Sequence, residues 1–313
     1  PIADYTAYLP WDSPRQAKQF VQYVNPKHVF FIKYEFWYFL LKAIHRQRIP
    51  LYSIAARFVP KQVFFKGYGG LHRRMLTFFD HIFVQDKNSY DLLHSIGIDK
   101  ASVSGDPRFD NVMEQAQAVS PIPTIASFKG NQKLLIIGSA WMEDIAVLQH
   151  TLNSLPEGVK VLIAPHDVSS TNCKRIADAI NQPHCLFSSS KETDAQVMIL
   201  DTIGHLAKAY QYADLAYIGG AFGDGLHNLL EATAFGAPVV FGSKGLEKFP
   251  EALELIDRQG AYAIADAAEA KSILNKFLEE KQFLDRTKQI CLAFMKEKQG
   301  ATETIMQYLE KSR

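Results

Sequence analysis

Short apolar runs alternate with longer amphipathic stretches along almost the whole chain, and no other feature constrains the fold as strongly. Runs such as His28-Val-Phe-Phe-Ile32 and Leu134-Leu-Ile-Ile-Gly138 have the length and continuity of strands covered on both faces. The stretches between them carry the helical period. This pattern predicts βαβ units around parallel sheets, an α/β fold. Strands are expected near 5–9, 28–32, 51–55, 81–85 and 101–104, then near 133–138, 159–164, 184–188, 196–200, 214–219, 238–242 and 260–264. Ser13-Pro14 supplies an N-cap and a first-turn proline, and Gly97 ends a helix that starts near Lys87. Helices at about 266–280 and 283–310, the latter interrupted near Gly300, end the chain. Val119-Ser-Pro-Ile-Pro123 breaks the alternation, so a domain boundary is expected there. A length of 313 residues fits two domains at roughly 100–200 residues each.

Composition removes several classes. Lys plus Arg is 34 against 33 for Asp plus Glu, so no global charge calls for nucleic acid. Cys173, Cys185 and Cys291 are far apart and lack CxxC spacing, which argues for free, mostly buried thiols and against zinc. No apolar run approaches the ~18 residues of a membrane-spanning helix. The first residue is Pro1 rather than Met, which raises the expectation that the natural protein begins earlier.

The segment from Tyr217 to Gly242 carries the most chemistry. A strand is expected to end at Gly219-Gly220, a glycine-rich loop to follow, and a helix to open near His227-Asn228. Glycines let a backbone approach a ligand closely, and a helix opening offers N–H groups to an anion such as phosphate. Glu231, three residues after Asn228, falls on the same face, where a carboxylate accepts from ribose hydroxyls. The spacing is not GxGxxG followed by a distant acid, so a dinucleotide dehydrogenase is disfavoured.

The string GGAFGDGLHNLLEATAFGAPVVFG resembles the donor-site segment of the transferases of 3-deoxy-D-manno-octulosonic acid (Kdo). Further similar pieces run in order along the chain: Leu9-Pro10 with Asp12-Ser-Pro-Arg15, Glu35-Phe-Trp37, Ala55-Ala-Arg57, Ser104-Gly105 with Arg108-Phe-Asp110, Gly138-Ser139 with Glu143, Ala164-Pro-His166 and Asp201-Thr-Ile-Gly204. The resemblance implies a GT-B glycosyltransferase, two Rossmann-like doubly wound domains facing across a cleft. The first would span 1–122, the CMP-sugar domain 123–300, and a helix at 301–313 would return to the first. It implies inverting transfer of Kdo from CMP-Kdo to a lipid A precursor, at the cytoplasmic face of the bacterial inner membrane. Donor-binding positions then fall on Ser139, Pro165, His166, Ile203, Gly204, His205, Gly220, His227 and Asn228-Leu229-Leu230-Glu231. Neither a metal nor another cofactor is expected, since no Asp-x-Asp or His/Asp cluster appears and a phosphate leaving as CMP can be stabilised by N–H groups and a histidine.

Three departures accompany the resemblance. The family's general base is a glutamate in a glycine-rich loop ahead of the region where this chain begins, so the chain as given is expected to be silent in turnover. Lys33 stands where many members carry a carboxylate, in Lys33-Tyr-Glu35, and Arg108 replaces a lysine as the candidate partner of the Kdo carboxylate or phosphate. Lys33, Glu35 and Arg108 are the catalytic candidates.

Between Arg57 and Arg74, the cations Arg57, Lys61, Lys66, Arg73 and Arg74 interleave with Phe58, Phe64, Phe65 and Tyr68. Such a mixture suits anionic head groups and acyl chains, an acceptor or membrane surface. The alternative is an ordinary loop whose aromatics fill the core. Two other functions remain open at this stage, a GT-B enzyme using a UDP-sugar and a nucleotide-binding fragment without turnover.

Overall fold

The computed structural model describes residues 3–189 and 194–311. It divides into two compact units, Pro1–Asp110 with Lys298–Arg313, and Asn111–Glu297. The chain begins with α1 (Pro14–Val24), whose N-cap Ser13 accepts from the Gln16 N–H. Then follow β1 (Val29–Ile32), α2 (Tyr38–Arg46), β2 (Leu51–Ala56), α3 (Gly70–Leu76), β3 (His81–Val84), α4 (Lys87–Ser95), β4 (Ala101–Val103) and α5 (Pro107–Gln117). The four strands are parallel and lie in the order β1-β2-β3-β4. Residues 5–9, expected as a strand, form none. Tyr5 and Tyr8 are largely exposed, so their alternation with small and polar residues has no sheet to face.

The second unit continues with α6 (Pro123–Lys129), β5 (Lys133–Ala140), α7 (Met142–Leu152), β6 (Val159–Pro165), α8 (Ser170–Ala179), β7 (His184–Leu186) and β8 (Val197–Ile199). After α9 (Leu206–Ala209) come β9 (Leu215–Ile218), α10 (Leu230–Thr233), β10 (Val239–Gly242), α11 (Pro250–Asp257), β11 (Ala261–Ile264), α12 (Ala267–Glu279) and α13 (Lys281–Lys298). Its sheet is parallel throughout, in the order β11-β10-β9-β5-β6-β8-β7. Leu134, Leu135, Ile136 and Ile137 of β5 are fully buried, as a central strand covered on both faces requires. Among the cysteines, Cys173 and Cys291 are buried and Cys185 is half-buried; burial pushes the Cys291 thiol up to about 12.

The division differs from the 122/123 boundary that the prolines suggest. It falls earlier because residues 120–122 are bonded into the second unit: the Ile122 N–H donates to the Tyr212 hydroxyl at 2.7 Å and Gln211 Nε2 to the Ser120 carbonyl at 3.1 Å. The last helix, α14 (Ala301–Lys311), belongs to the first unit. Ile305 packs with Tyr52 and Phe83, and the Tyr308 ring lies 4.1 Å from that of His81. Asp110 fixes the start of α14 by accepting from the Gly300 and Thr302 N–H groups, both at 2.7 Å.

Candidate active site

In the second sheet β5 lies between β9 and β6, so the chain leaves β5 in one direction and later returns to its other side. Loops at such a reversal diverge and leave a crevice at the carboxyl ends of the strands, the usual ligand position in an open α/β sheet. The loops after β5 and β9 meet here through one carboxylate. Asp144, fully buried in the first turn of α7, accepts from the Trp141 and Gly220 N–H groups with Oδ2, both at 2.9 Å. Its Oδ1 accepts from the Tyr217 hydroxyl at 2.8 Å, and burial together with this carboxylate holds the Tyr217 phenol far above its ordinary range. Three donors make the buried charge tolerable. Glu143, the carboxylate quoted in the sequence motif, is exposed; its neighbour is the one that joins the loops.

The loop after β9 folds back on itself, with the Gly223 and Gly225 N–H groups on the Gly220 carbonyl and the His227 N–H on that of Gly219. A Cβ at Gly219 would lie 2.3 Å from the Ser139 carbonyl oxygen, so two backbones touch where only glycine fits. Gly220 has φ 96° and Ser139 φ 52°, both in the left-handed region. The helix expected to open at His227-Asn228 starts instead at Leu230 and lasts a single turn. Asn228 Oδ1 takes the Leu230 N–H at 3.2 Å, holding His227 and Asn228 in the loop. One turn carries little dipole, so this helix opening offers an anion little by itself.

Asn228 Nδ2 donates to Glu231 Oε1 at 2.9 Å, bringing together the Asn-x-x-Glu pair. Desolvation pushes the Glu231 carboxyl above the usual carboxylate range, against the opposing Asn228 bond. Leu229 and Leu230 are buried, so their side chains belong to the core and only their backbone is available to a ligand. At the end of β6, Pro165 is buried and His166 is exposed, its N–H on the Ala140 carbonyl at 2.9 Å.

Three rings gather above these loops. Trp141 Nε1–H donates to His227 Nε2 at 3.0 Å, and the His166 ring stacks 4.2 Å from Trp141 and lies 4.9 Å from His227. Burial, then His166, lowers the His227 pKa against the opposing pull of Asp144 and Asp224. Ile203, Gly204 and His205 follow β8, next to β6 in the sheet. Ile203 is exposed, Gly204 has φ 87°, and His205 bonds Thr202 through Nδ1 at 3.1 Å while its ring lies 5.0 Å from Phe187.

The first unit holds the other candidates. Lys33 follows β1 with φ 61°, its N–H on the Ile54 carbonyl. Glu35 is exposed in the β1–α2 loop, accepting from Trp37 Nε1 at 2.6 Å. It does not open α2: Asp12 takes the Phe39 and Leu40 N–H groups at 3.1 and 2.9 Å and caps that helix. Arg108, in the first turn of α5, places Nε and a terminal nitrogen 2.8 Å from Asp106 Oδ2. Lys33 and Glu35 follow β1 whereas Arg108 follows β4, at the opposite edge of this sheet. Three strand spacings of ~4.8 Å put those edges about 14 Å apart.

The aromatic part of the 57–74 reading is corrected. Phe58 and Phe64 are buried and Phe65 packs on the same core, where Phe36 and Phe64 meet at 5.0 Å. Arg73 is occupied structurally, its NH1 bonding the Phe64 and Lys66 carbonyls at 3.0 and 2.8 Å. Arg57 lies 3.8 Å from Asp86. Lys61, Tyr68 and Arg74 are exposed and Lys66 half-exposed. A broader charge pattern surrounds this loop: between Asp12 and Asp80 the chain has twelve Lys and Arg and a single acidic residue, Glu35.

A family profile described as 3-deoxy-D-manno-octulosonic-acid transferase (kdotransferase) matches residues 1–111. The 3-deoxy-D-manno-octulosonic acid transferase of Bordetella pertussis is 26% identical over 319 residues, covering 97% of this chain and 73% of that protein. This chain is thus similar to the Kdo transferases along nearly its whole length. The Haemophilus influenzae transferase of the same name is 25% identical, covering 97% of this chain and 74% of that protein. Among solved structures, UDP-GlcNAc 2-epimerase from Neisseria meningitidis bound to UDP-GlcNAc matches with TM-score 0.65 at 16% identity, over 95% of this chain and 80% of that one. The Staphylococcus aureus MnaA–UDP structure matches with TM-score 0.62 at 14% identity, over 95% and 79%. At these identities the likeness concerns the fold alone, an α/β fold of GT-B type with parallel sheets.

Proposed function

We propose that this Kdo-transferase relative moves Kdo from CMP-Kdo to a lipid A precursor in lipopolysaccharide biosynthesis, with inversion at the anomeric carbon. The observation that carries this reading is the similarity to Kdo transferases over 97% of the chain. The crevice between β5 and β9 supports it. Glu231 is placed to accept from ribose hydroxyls and Asn228 holds its carboxylate in position. In this reading His227 and His166 stand beside the phosphate, stabilising the charge that builds as CMP departs. Arg108 is assigned to the Kdo carboxylate or phosphate, with Lys33 and Glu35 on the acceptor side.

The acceptor implies an anionic membrane surface, and we place the protein at the cytoplasmic face of the inner membrane. Support comes from the excess of cations between Asp12 and Asp80 and from exposed Tyr5, Tyr8, Trp11, Tyr23 and Tyr68. Among the described residues no helix is long and apolar enough to cross a bilayer, so this contact is peripheral in our reading.

The test incubates CMP-Kdo and a lipid A precursor with this chain and with a version extended at its N-terminus, reading the Kdo-bearing lipid by mass spectrometry. Transfer by the extended version alone supports a base ahead of Pro1. Equal transfer by both makes Glu35 the first candidate for the base. Transfer by neither contradicts the proposal.

A further inference from the structure

Trp141 has no role in the reading above, yet its indole holds a histidine of the crevice. The bond from Trp141 Nε1–H to His227 Nε2 joins two rings only 13° from parallel, with centroids 6.5 Å apart. It therefore runs edge to edge, close to the plane of both rings. His166 lies across both, inclined 17° to Trp141 and 30° to His227. Trp141 is itself fixed from below, its backbone N–H on the buried Asp144 carboxylate.

An indole nitrogen donates and never accepts. The imidazole nitrogen facing it must therefore present a lone pair, which leaves the single proton of neutral His227 on Nδ1. The Cδ2–Nε2 edge of the ring is turned toward Gly220, since a Cβ there would lie 2.8 Å from Cδ2 and 3.2 Å from Nε2. Nδ1 is on the other side of the ring, and among the described residues no hydrogen bond engages it. A second proton on Nε2 would set N–H against N–H.

We propose that Trp141 is a positioning residue that holds His227 as the neutral Nδ1–H tautomer, aiming one N–H donor at the phosphate of the bound CMP-sugar. The ligand half of this inference rests on the CMP reading above; the tautomer half does not. The charged and titratable groups around His227 are His166 after β6, Asp144 of α7 and Asp224 of the glycine loop. Burial and His166 favour the neutral ring, in the same direction as Trp141, and the two aspartates oppose them.

The experiment is long-range ¹H–¹⁵N NMR of the ligand-free protein, followed by CMP titrations of wild type and Trp141→Phe across pH 5.5 to 8.5. Phe keeps an aromatic face for His166 and removes the donor together with part of the indole's bulk. Wild type should show His227 protonated at Nδ1, and the variant should move toward the Nε2–H form with a higher imidazole pKa. CMP affinity in the variant should fall about 3- to 10-fold at pH 8, the range for one lost hydrogen bond. The loss should shrink at low pH, where both imidazole nitrogens carry protons. An Nε2–H tautomer in wild type overturns the proposal without any variant, and so does a tautomer that ignores Trp141→Phe. An Nδ1–H tautomer in a protein that does not bind CMP overturns the ligand half and the function assigned above, while the positioning of the proton by Trp141 stands.

Discussion

β5 and β1 have nearly the same sequence signal and opposite surroundings. Leu134-Leu-Ile-Ile137 and Val29-Phe-Phe-Ile32 both read as parallel strands covered on two faces. In the second unit β5 lies in the middle of seven strands with that run fully buried. In the first unit β1 ends the strand order, and Phe30 and Ile32 are 44% and 61% exposed. Apolar content selects a strand; position in the sheet order decides whether it is covered. The same order decides where chemistry collects. The reversal at β5 brings Trp141, His166 and His227 from three loops into one ring cluster, whereas the sequential β1-β2-β3-β4 order leaves Lys33 and Arg108 at opposite edges.

Removing the link between the two loops of the reversal should have the largest effect. Asp144→Ala strands the Trp141 and Gly220 N–H groups and the Tyr217 hydroxyl, and each buried unsatisfied group costs about 1–3 kcal/mol. Urea unfolding should show a loss of about 3 kcal/mol or more, and CMP binding should be lost with it. Loss of under ~1 kcal/mol would mean that the loops hold together without the carboxylate.

Leu135→Ala and Ile32→Ala test the strands themselves. Truncating a fully buried leucine costs about 2–5 kcal/mol, so the β5 change should lower the urea midpoint strongly. The exposed β1 change should cost well under ~1 kcal/mol. Equal costs would show that β1 is covered in solution and that the contrast between the strands fails.

These partners also explain what sequence could reveal. The strands of both sheets were legible because each is a compact apolar run bounded by turn residues, and the Asn228–Glu231 pair because both members lie on one short segment. Tyr5–Leu9 misled because aromatic alternation predicts a strand but supplies no neighbour to pair with. Asp144 and Trp141 were not legible: their partners Tyr217, Gly220 and His227 lie 73, 76 and 86 residues away, brought close only by the return of β9 beside β5. Sequence left Phe58 and Phe64 open between core and surface, and the ring cluster with Phe36 puts them in the core.

A smaller effect concerns pH. Burial raises the Glu231 pKa, so acidification protonates this carboxyl before ordinary ones and would remove the acceptor proposed for the ribose. CMP affinity should fall as pH drops through that raised value, starting above the usual range near 4.5. Stability of the ligand-free protein should respond with the opposite sign. The folded state binds this proton more readily than the unfolded state, so the Glu231 contribution to stability grows on acidification. Comparing wild type with Glu231→Gln by calorimetric titration and thermal melts isolates both terms. A variant with the wild-type pH profile would assign the dependence to another group.

The proposed function assigns the loops at the β5–β9 reversal to a cytidine nucleotide, held through Glu231 and the loop around Gly220 and His227. Isothermal titration of the ligand-free chain with CMP and with UMP, repeated on Glu231→Ala, tests it most directly. The account predicts that CMP binds, that UMP binds more weakly, and that Glu231→Ala lowers CMP affinity at least about tenfold, the loss of a charge-assisted hydrogen bond of roughly 1.5–3 kcal/mol. Equal binding of UMP, or CMP affinity unchanged in Glu231→Ala, would contradict it.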